Sequence, residues 1–159
     1  MNHKNPTKIE WARAAYLKAC DLEIRALKPG NVGDHAPGHD MQAEDFRHSA
    51  SVSVAPLTDT SLCVGERIYQ AVAATRVAVG CNTNLGIILL AAPLIAAFFQ
   101  QKKGQTLREC LIETLNGLDD RDAEWLFQAI AHAKPGGLGD APEADVNQAP
   151  KVSILEAMT

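Results

Sequence analysis

Three polar stretches of this 159-residue chain hold the residue types that can do chemistry. The first is Lys28-Pro29-Gly30-Asn31, followed by His39-Asp40-Met41 and then Glu44-Asp45-Phe46. Lys28 can neutralise a phosphate, and Asp40, Glu44 and Asp45 can hold Mg2+ through oxygen or take a proton as a base. A solvated, turn-forming loop accounts for the same composition. The second is Gly80-Cys81-Asn82-Thr83-Asn84-Leu85-Gly86. Two asparagines and a threonine at a helix start sit where free backbone N–H groups and the macrodipole favour an anion. Gly86 would let a ligand or another backbone come close. Plain N-capping by Asn82, Thr83 or Asn84 fits the pattern too, and both readings stand. The third is Lys134-Pro135-Gly136-Gly137-Leu138-Gly139-Asp140, ending in Asp145-Val146-Asn147. It reads as a flexible, anion-friendly loop or as a helix stop. It is neither a Walker A sequence nor a dinucleotide fingerprint, because no strand precedes it and the spacing fails.

Metal and thiol chemistry have less support. His35-x3-His39 and Glu44-x3-His48 have the spacing of zinc ligand pairs, but His35 and His39 fall in a Gly/Pro loop and no cysteine pair completes a site. Cys20, Cys63, Cys81 and Cys110 are scattered, and three of them lie in apolar helical patterns, as small hydrophobes do. Reduced thiols in a cytosolic setting are expected. Cys81 stands apart because it adjoins the second polar stretch.

The elements that must position these residues are helices. Thr7-Lys8-Ile9-Glu10 is a capping box opening a helix to about Leu27, where Lys28-Pro29-Gly30 stops it. A second helix is expected over Ala43 to Val54, with Phe46 and Ala50 facing inward. Thr58-Asp59-Thr60 reads as the next N-cap, leading a helix from Ser61 to Val79 that ends at Gly80. The apolar helix Leu85–Gln100 follows, stopped by Lys102-Lys103-Gly104. Thr106-Leu107-Arg108-Glu109 is a second capping box for a helix ending near Gly117. Asp119 or Asp120 caps another, running to about Ala133. Val152–Met158 reads as the stub of one more, as if the chain stopped short of its fold. No run alternates as a strand does, so the expectation is all-α: one bundle-like domain of about six helices over residues 1–159.

Bulk properties narrow the function. Hydrophobic residues make up 47% and aromatics 5%, a balance that suits closely packed helices. A net charge of −4 lacks the basic stripe of a nucleic-acid binder. The N-terminus has no secretory h-region. The longest apolar run, Leu85–Phe99, would span about 22 Å as a helix, short of roughly 30 Å of bilayer hydrocarbon. A cytoplasmic protein without a membrane or nucleic-acid partner is expected.

Four stretches resemble the triphosphoribosyl-dephospho-coenzyme A synthase family, in that family's order. They are Glu23 with KPGNV (Lys28–Val32), GHDMQAEDFRHSA (Gly38–Ala50), GCNTNLGIILLAAPL (Gly80–Leu94) and PGGLGDAPEADV (Pro135–Val146). The wording at Thr83–Gly86 and Gly136–Gly139 is similar to a shorter, archaeal-like branch, also met in methylotrophic bacteria. The resemblance implies a transferase that moves the triphosphoribosyl part of ATP onto a ribose 2′-hydroxyl of dephospho-coenzyme A and releases adenine. Members of the shorter branch need not share that acceptor, so the expectation extends to a related coenzyme A-like or pterin-like molecule, and a non-catalytic relative would be linked to methanopterin-type C1 cofactor biosynthesis. Mg2+ accompanies the ATP. The implied roles are Asp40, His39 and Glu44 in catalysis, with His39 donating to the leaving base. Lys28, Asn31, Asn82, Thr83, Asn84, Gly86, Gly136 and Gly137 would bind the nucleotide. Asp40, Asp45 and Asp145 would hold the metal. Family chains usually continue with further helices, so a homodimer is expected to complete the fold. The competing readings are a truncated, non-catalytic nucleotide-binding module, a helical subunit completed by another chain, and a purely structural helical domain.

Overall fold

The structure is a computed structural model that describes residues 5–27 and 41–135. Thr7 starts α1 (Lys8–Arg25) as a capping box should: its hydroxyl accepts the Glu10 N–H at 3.2 Å, and Glu10 accepts the Thr7 N–H at 2.7 Å. Then come α2 (Ala43–Leu57), α3 (Val64–Val79), α4 (Leu85–Gln100), α5 (Leu107–Asn116) and α6 (Asp120–Ala133). No strand occurs among the described residues, so the all-α expectation holds. No helix among them is long and apolar enough to cross a membrane.

Two expected boundaries move, for one reason. The second helix runs past Val54 to Leu57, carrying Pro56 in its last turn, because Leu57 is fully buried and anchors that turn. Thr58 closes the end by donating its hydroxyl to the Val54 carbonyl at 2.9 Å. Asp59 is then spent on a turn, accepting the Ser61 N–H at 2.9 Å and its hydroxyl at 2.6 Å. Thr58-Asp59-Thr60 therefore does not cap the third helix, which begins at Val64 rather than Ser61. Cys63 takes the N-cap position, with its N–H donated to Glu66 at 3.2 Å. Burial, first among several causes, pushes the Cys63 thiol up to about 11, so it stays protonated at neutral pH. The first helix is also shorter, ending at Arg25 with Ala26 as its C-cap.

Ile88, Ala92, Ile95 and Ala96 of α4 pack into one core with Tyr16 and Cys20 of α1, Leu57 of α2, Ile68, Ala71 and Val72 of α3, and Ala123, Leu126 and Ala129 of α6. Alanines let the helix axes come close, and Gly65 brings two closer still. A Cβ at Gly65 would meet the Asp122 carbonyl oxygen, lie 2.8 Å from the Asp122 Cα and 2.9 Å from the Trp125 Cβ. The Gly65 N–H donates to Asp122 at 2.7 Å, so α3 and α6 start side by side and run parallel.

α1 runs antiparallel to both α2 and α4, which leaves α2 and α4 parallel to each other. The start of α1 meets the end of α4, where Lys8 donates to the carbonyls of Phe98 and Gln101 at 3.3 and 3.2 Å. The end of α1 meets the start of α2 through Arg47 and Asp21 at 3.8 Å. The start of α2 meets that of α4 through Ser49 and Thr83 at 2.6 Å. Ala133, at the end of α6, packs beside Thr75, Asn82 and Asn84. The helix ends that flank all three polar stretches thus share one end of the bundle.

Candidate functional site

The start of α4 is built unlike the others. In five of the six helices a carboxylate three residues past the N-cap accepts the N-cap N–H: Glu10, Asp45, Glu66, Glu109 and Asp122. In α4 that position is Ile87, and the first turn holds no acidic residue. Asn84 occupies the N-cap position, yet its side chain makes no capping bond. Asn82 does that work in part, accepting the Leu85 N–H at 3.3 Å. The partial positive charge of this helix start therefore meets no carboxylate of its own first turn, which favours an anion. Gly86 is exposed, and a Cβ built on it would meet nothing within 4 Å.

Asn84 points the other way, into the core, and is 3% exposed. Its Oδ1 accepts from the Thr75 hydroxyl at 3.2 Å and its Nδ2 donates to Ser53 Oγ at 3.4 Å. Ser53 also bonds the Tyr16 hydroxyl at 2.8 Å and donates to the Ser49 carbonyl at 2.7 Å. Ser49 in turn donates to the Asp45 carbonyl at 2.6 Å while sharing a 2.6 Å contact with Thr83. Burial drives the Tyr16 phenol far above its ordinary value, so it remains protonated. Of the second polar stretch, Asn82 caps, Thr83 ties α4 to α2, and Asn84 serves the core. Of residues 81–86, Gly86 alone is exposed.

Of the first stretch, the described part is the start of α2. Asp45 is half-buried, with Oδ2 accepting the Gln42 N–H at 2.8 Å. Glu44 is exposed and lies 3.8 Å from Arg47. No group of three or more His, Cys, Asp or Glu side chains lies together among the described residues. They therefore form no zinc centre and no all-protein metal cage. A lone carboxylate such as Asp45 is of the kind used by Mg2+ on a nucleotide, which commonly takes one or two carboxylates and fills its shell with phosphates and water. Lys28, Asn31, His39, Asp40, Gly136, Gly137 and Asp145, with His35, lie outside the described residues.

Sequence reasoning missed Tyr16, Ser53 and Thr75, three polar residues within apolar helices, whose common partner shows only in three dimensions. It also missed Arg76. This cation lies one turn before Gly80 and lines a crevice with Cys81, Asn82 and Asn84 that is too narrow for a water molecule. A basic residue in the turn before a polar helix junction was the available signal. An open groove of about 560 Å3 lies elsewhere, between Ile9, Arg13, Pro56, Thr58 and Gln70. The rise from Ser49 to Thr58 along α2 puts it about 13 Å from the Ser49–Thr83 contact, and no residue of the three stretches lines it.

The family model CitG, described as ATP:dephospho-CoA triphosphoribosyl transferase, matches residues 9–159. No curated protein and no solved structure matches the chain.

Proposed function

The chain belongs to the ATP:dephospho-CoA triphosphoribosyl transferase family, and from that premise we propose that the end of the bundle where α2 and α4 start binds ATP for this transfer. In the reaction the C1′–N9 bond of ATP breaks and a bond from the acceptor's ribose 2′-oxygen to C1′ forms. The hydroxyl proton goes to a base, N9 of adenine gains a proton, and the triphosphate stays on the transferred ribose. A positively charged C1′ in the transition state favours a carboxylate nearby, as at other glycosidic centres.

One observation carries the assignment. The first turn of α4 lacks the carboxylate cap of every other described helix, and it opens through Gly86 among the helix ends that flank the three polar stretches. The N–H groups of that turn, with Lys28 and Arg76 as cations, are assigned to the phosphates. Asn31, Gly136 and Gly137 are assigned to the rest of the nucleotide. Asp40, with Glu44 as alternate, is the base, and His39 donates to the departing adenine. Asp40, Asp45 and Asp145 would hold Mg2+, which neutralises the triphosphate when bound.

The test is direct. With ATP, Mg2+ and dephospho-CoA, chromatography should show free adenine formed in step with acceptor consumed. Adenine formed only with a pterin-like acceptor would move the chain to the related activity. No adenine, together with a raised melting temperature in ATP, would leave a binding module. No response to ATP at all would defeat the assignment. The same protein is expected to be a homodimer. Between Gly80 and Gln101 there is no charged residue, and α4 exposes Leu90 by 72% and Leu94 by 40%. A monomer near 17.1 kDa on size exclusion would contradict this.

A further inference from the structure

Four buried side chains with no chemical part in the transfer meet beneath the first turn of α4. We propose that Tyr16, Ser53, Thr75 and Asn84 are positioning residues, a hydrogen-bonded strut that holds the start of α4 against α1, α2 and α3. The strut thereby sets the direction of the N–H groups offered to the triphosphate. The inference rests on the reading of that helix start as the phosphate site.

The 2.7 Å bond to the Ser49 carbonyl, shorter than that to Ala50 at 3.3 Å, favours one arrangement of the protons. Ser53 gives its single proton to the Ser49 carbonyl at 2.7 Å, so it accepts both from Tyr16 at 2.8 Å and from the Asn84 amide at 3.4 Å. Tyr16 must donate, and its buried phenol keeps the proton to do so. Thr75 donates to the Asn84 oxygen at 3.2 Å, which orients the amide, since the flipped amide would set its oxygen against the proton-poor side of Ser53. A hydrogen bond inside a protein nets little stability over one made to water, and apolar side chains of similar shape would fill the same space about as well. What a fully satisfied polar cluster adds is uniqueness, because a shift of any one helix leaves a buried group unpaired. The cluster lies under the start of α4, against mid-length residues of α1 and α2, and it takes up the Asn84 side chain that would otherwise cap α4. Capping is given up and orientation gained at the same residue.

The test uses Tyr16→Phe and Ser53→Ala, which remove one hydroxyl each from residues too deeply buried to touch a ligand. Steady-state adenine release with each substrate varied is read beside a thermal melt. KM for ATP should rise roughly 10-fold in Ser53→Ala, as expected when a binding group is misplaced, while KM for dephospho-CoA is unchanged. The double variant should be no worse for ATP than Ser53→Ala alone, because both changes act through the Ser53 oxygen. Gly65→Ala, at the far end, should lower the melting temperature with KM for ATP unchanged, which separates loss of stability from loss of position. If the wild type binds ATP without turnover, Kd for ATP replaces KM with the same expectations. Lower melting temperatures with ATP constants like wild type would overturn the strut and leave the site reading intact. A wild type that neither binds ATP nor releases adenine would overturn both.

Discussion

Where α3 and α6 begin, backbone lies against backbone: Gly65 has no Cβ, and Asp122 accepts its N–H while capping its own helix. Where α4 begins, it meets the middle of α2 through hydroxyls and one amide, Ser49 to Thr83 and Ser53 to Asn84. The first join tolerates no added volume, and the second tolerates no lost polarity. Close packing brings most of a domain's stability, whereas satisfied polar contacts mostly select one geometry. The contrast thus separates an end that holds the molecule together from an end that arranges it for a ligand.

Substitutions at the two ends should differ in kind. Gly65→Ala is expected to do the most damage, about 3 kcal/mol from overpacking against Asp122 and Trp125, and its thermal melt should drop by roughly 10 °C. An unchanged melt would mean that α3 and α6 do not approach as closely as described. Asp122→Ala loses both the acceptor of the Asp119 N–H in the capping box and the bond to Gly65, at a cost of about 2 kcal/mol. Asp122→Asn should recover part of that in chemical denaturation, because its amide oxygen still accepts. At the other end the signs divide. Gly86→Asp should raise stability by about 0.5 kcal/mol, as a better helix former with an acidic group in the first turn. The same change should weaken ATP binding by about 10-fold or more in calorimetry. Equal ATP affinity in wild type and Gly86→Asp would remove this helix start from the site. Arg76→Ala should weaken ATP binding less, with no gain in stability, and an unchanged Kd would count it out.

The smallest effect is on pH. Glu10, Glu66 and Glu109 have their carboxyls lowered chiefly by the N-cap N–H each accepts, and Asp59 is lowered by the Ser61 hydroxyl and N–H. Each binds its proton more weakly in the folded state. The unfolded chain therefore takes up protons first as pH falls through about 4. The contribution is complete above that range and is lost as pH falls through the lower folded values. Melting temperature should decline below about pH 4, and Glu10→Gln with Glu109→Gln should flatten the decline. An unaltered slope would show that these caps contribute nothing.

Much of the fold was legible because capping is local. Thr7 with Glu10, Thr106 with Glu109 and Asp119 each mark a helix start within four residues of chain, and Gly80 marks an end by its left-handed φ of 74°. The start of α3 was not legible, since Thr58-Asp59-Thr60 can cap as well as Cys63 can. Burial of Leu57, a tertiary effect, decided between them. At the second polar stretch the chain advertised an unusual helix start but not the division of labour within it. Which asparagine turns inward depends on Tyr16 and Ser53, which lie 68 and 31 residues before Asn84. Arg76 was hidden for the opposite reason, as an ordinary cation in a helix's last turn.

The Gly65–Asp122 contact also bears on the order in which the molecule assembles. Helices α1 to α5 each touch the next in sequence, except across the α5–α6 turn, so they can pair as successive hairpins. The contact between α3 and α6 instead joins residues 57 apart. Closing so long a loop is entropically slow compared with a hairpin. On the ribosome, α3 emerges with its glycine groove bare and must wait until α6 has been made. The join at Gly65 is therefore among the last contacts that synthesis allows to form.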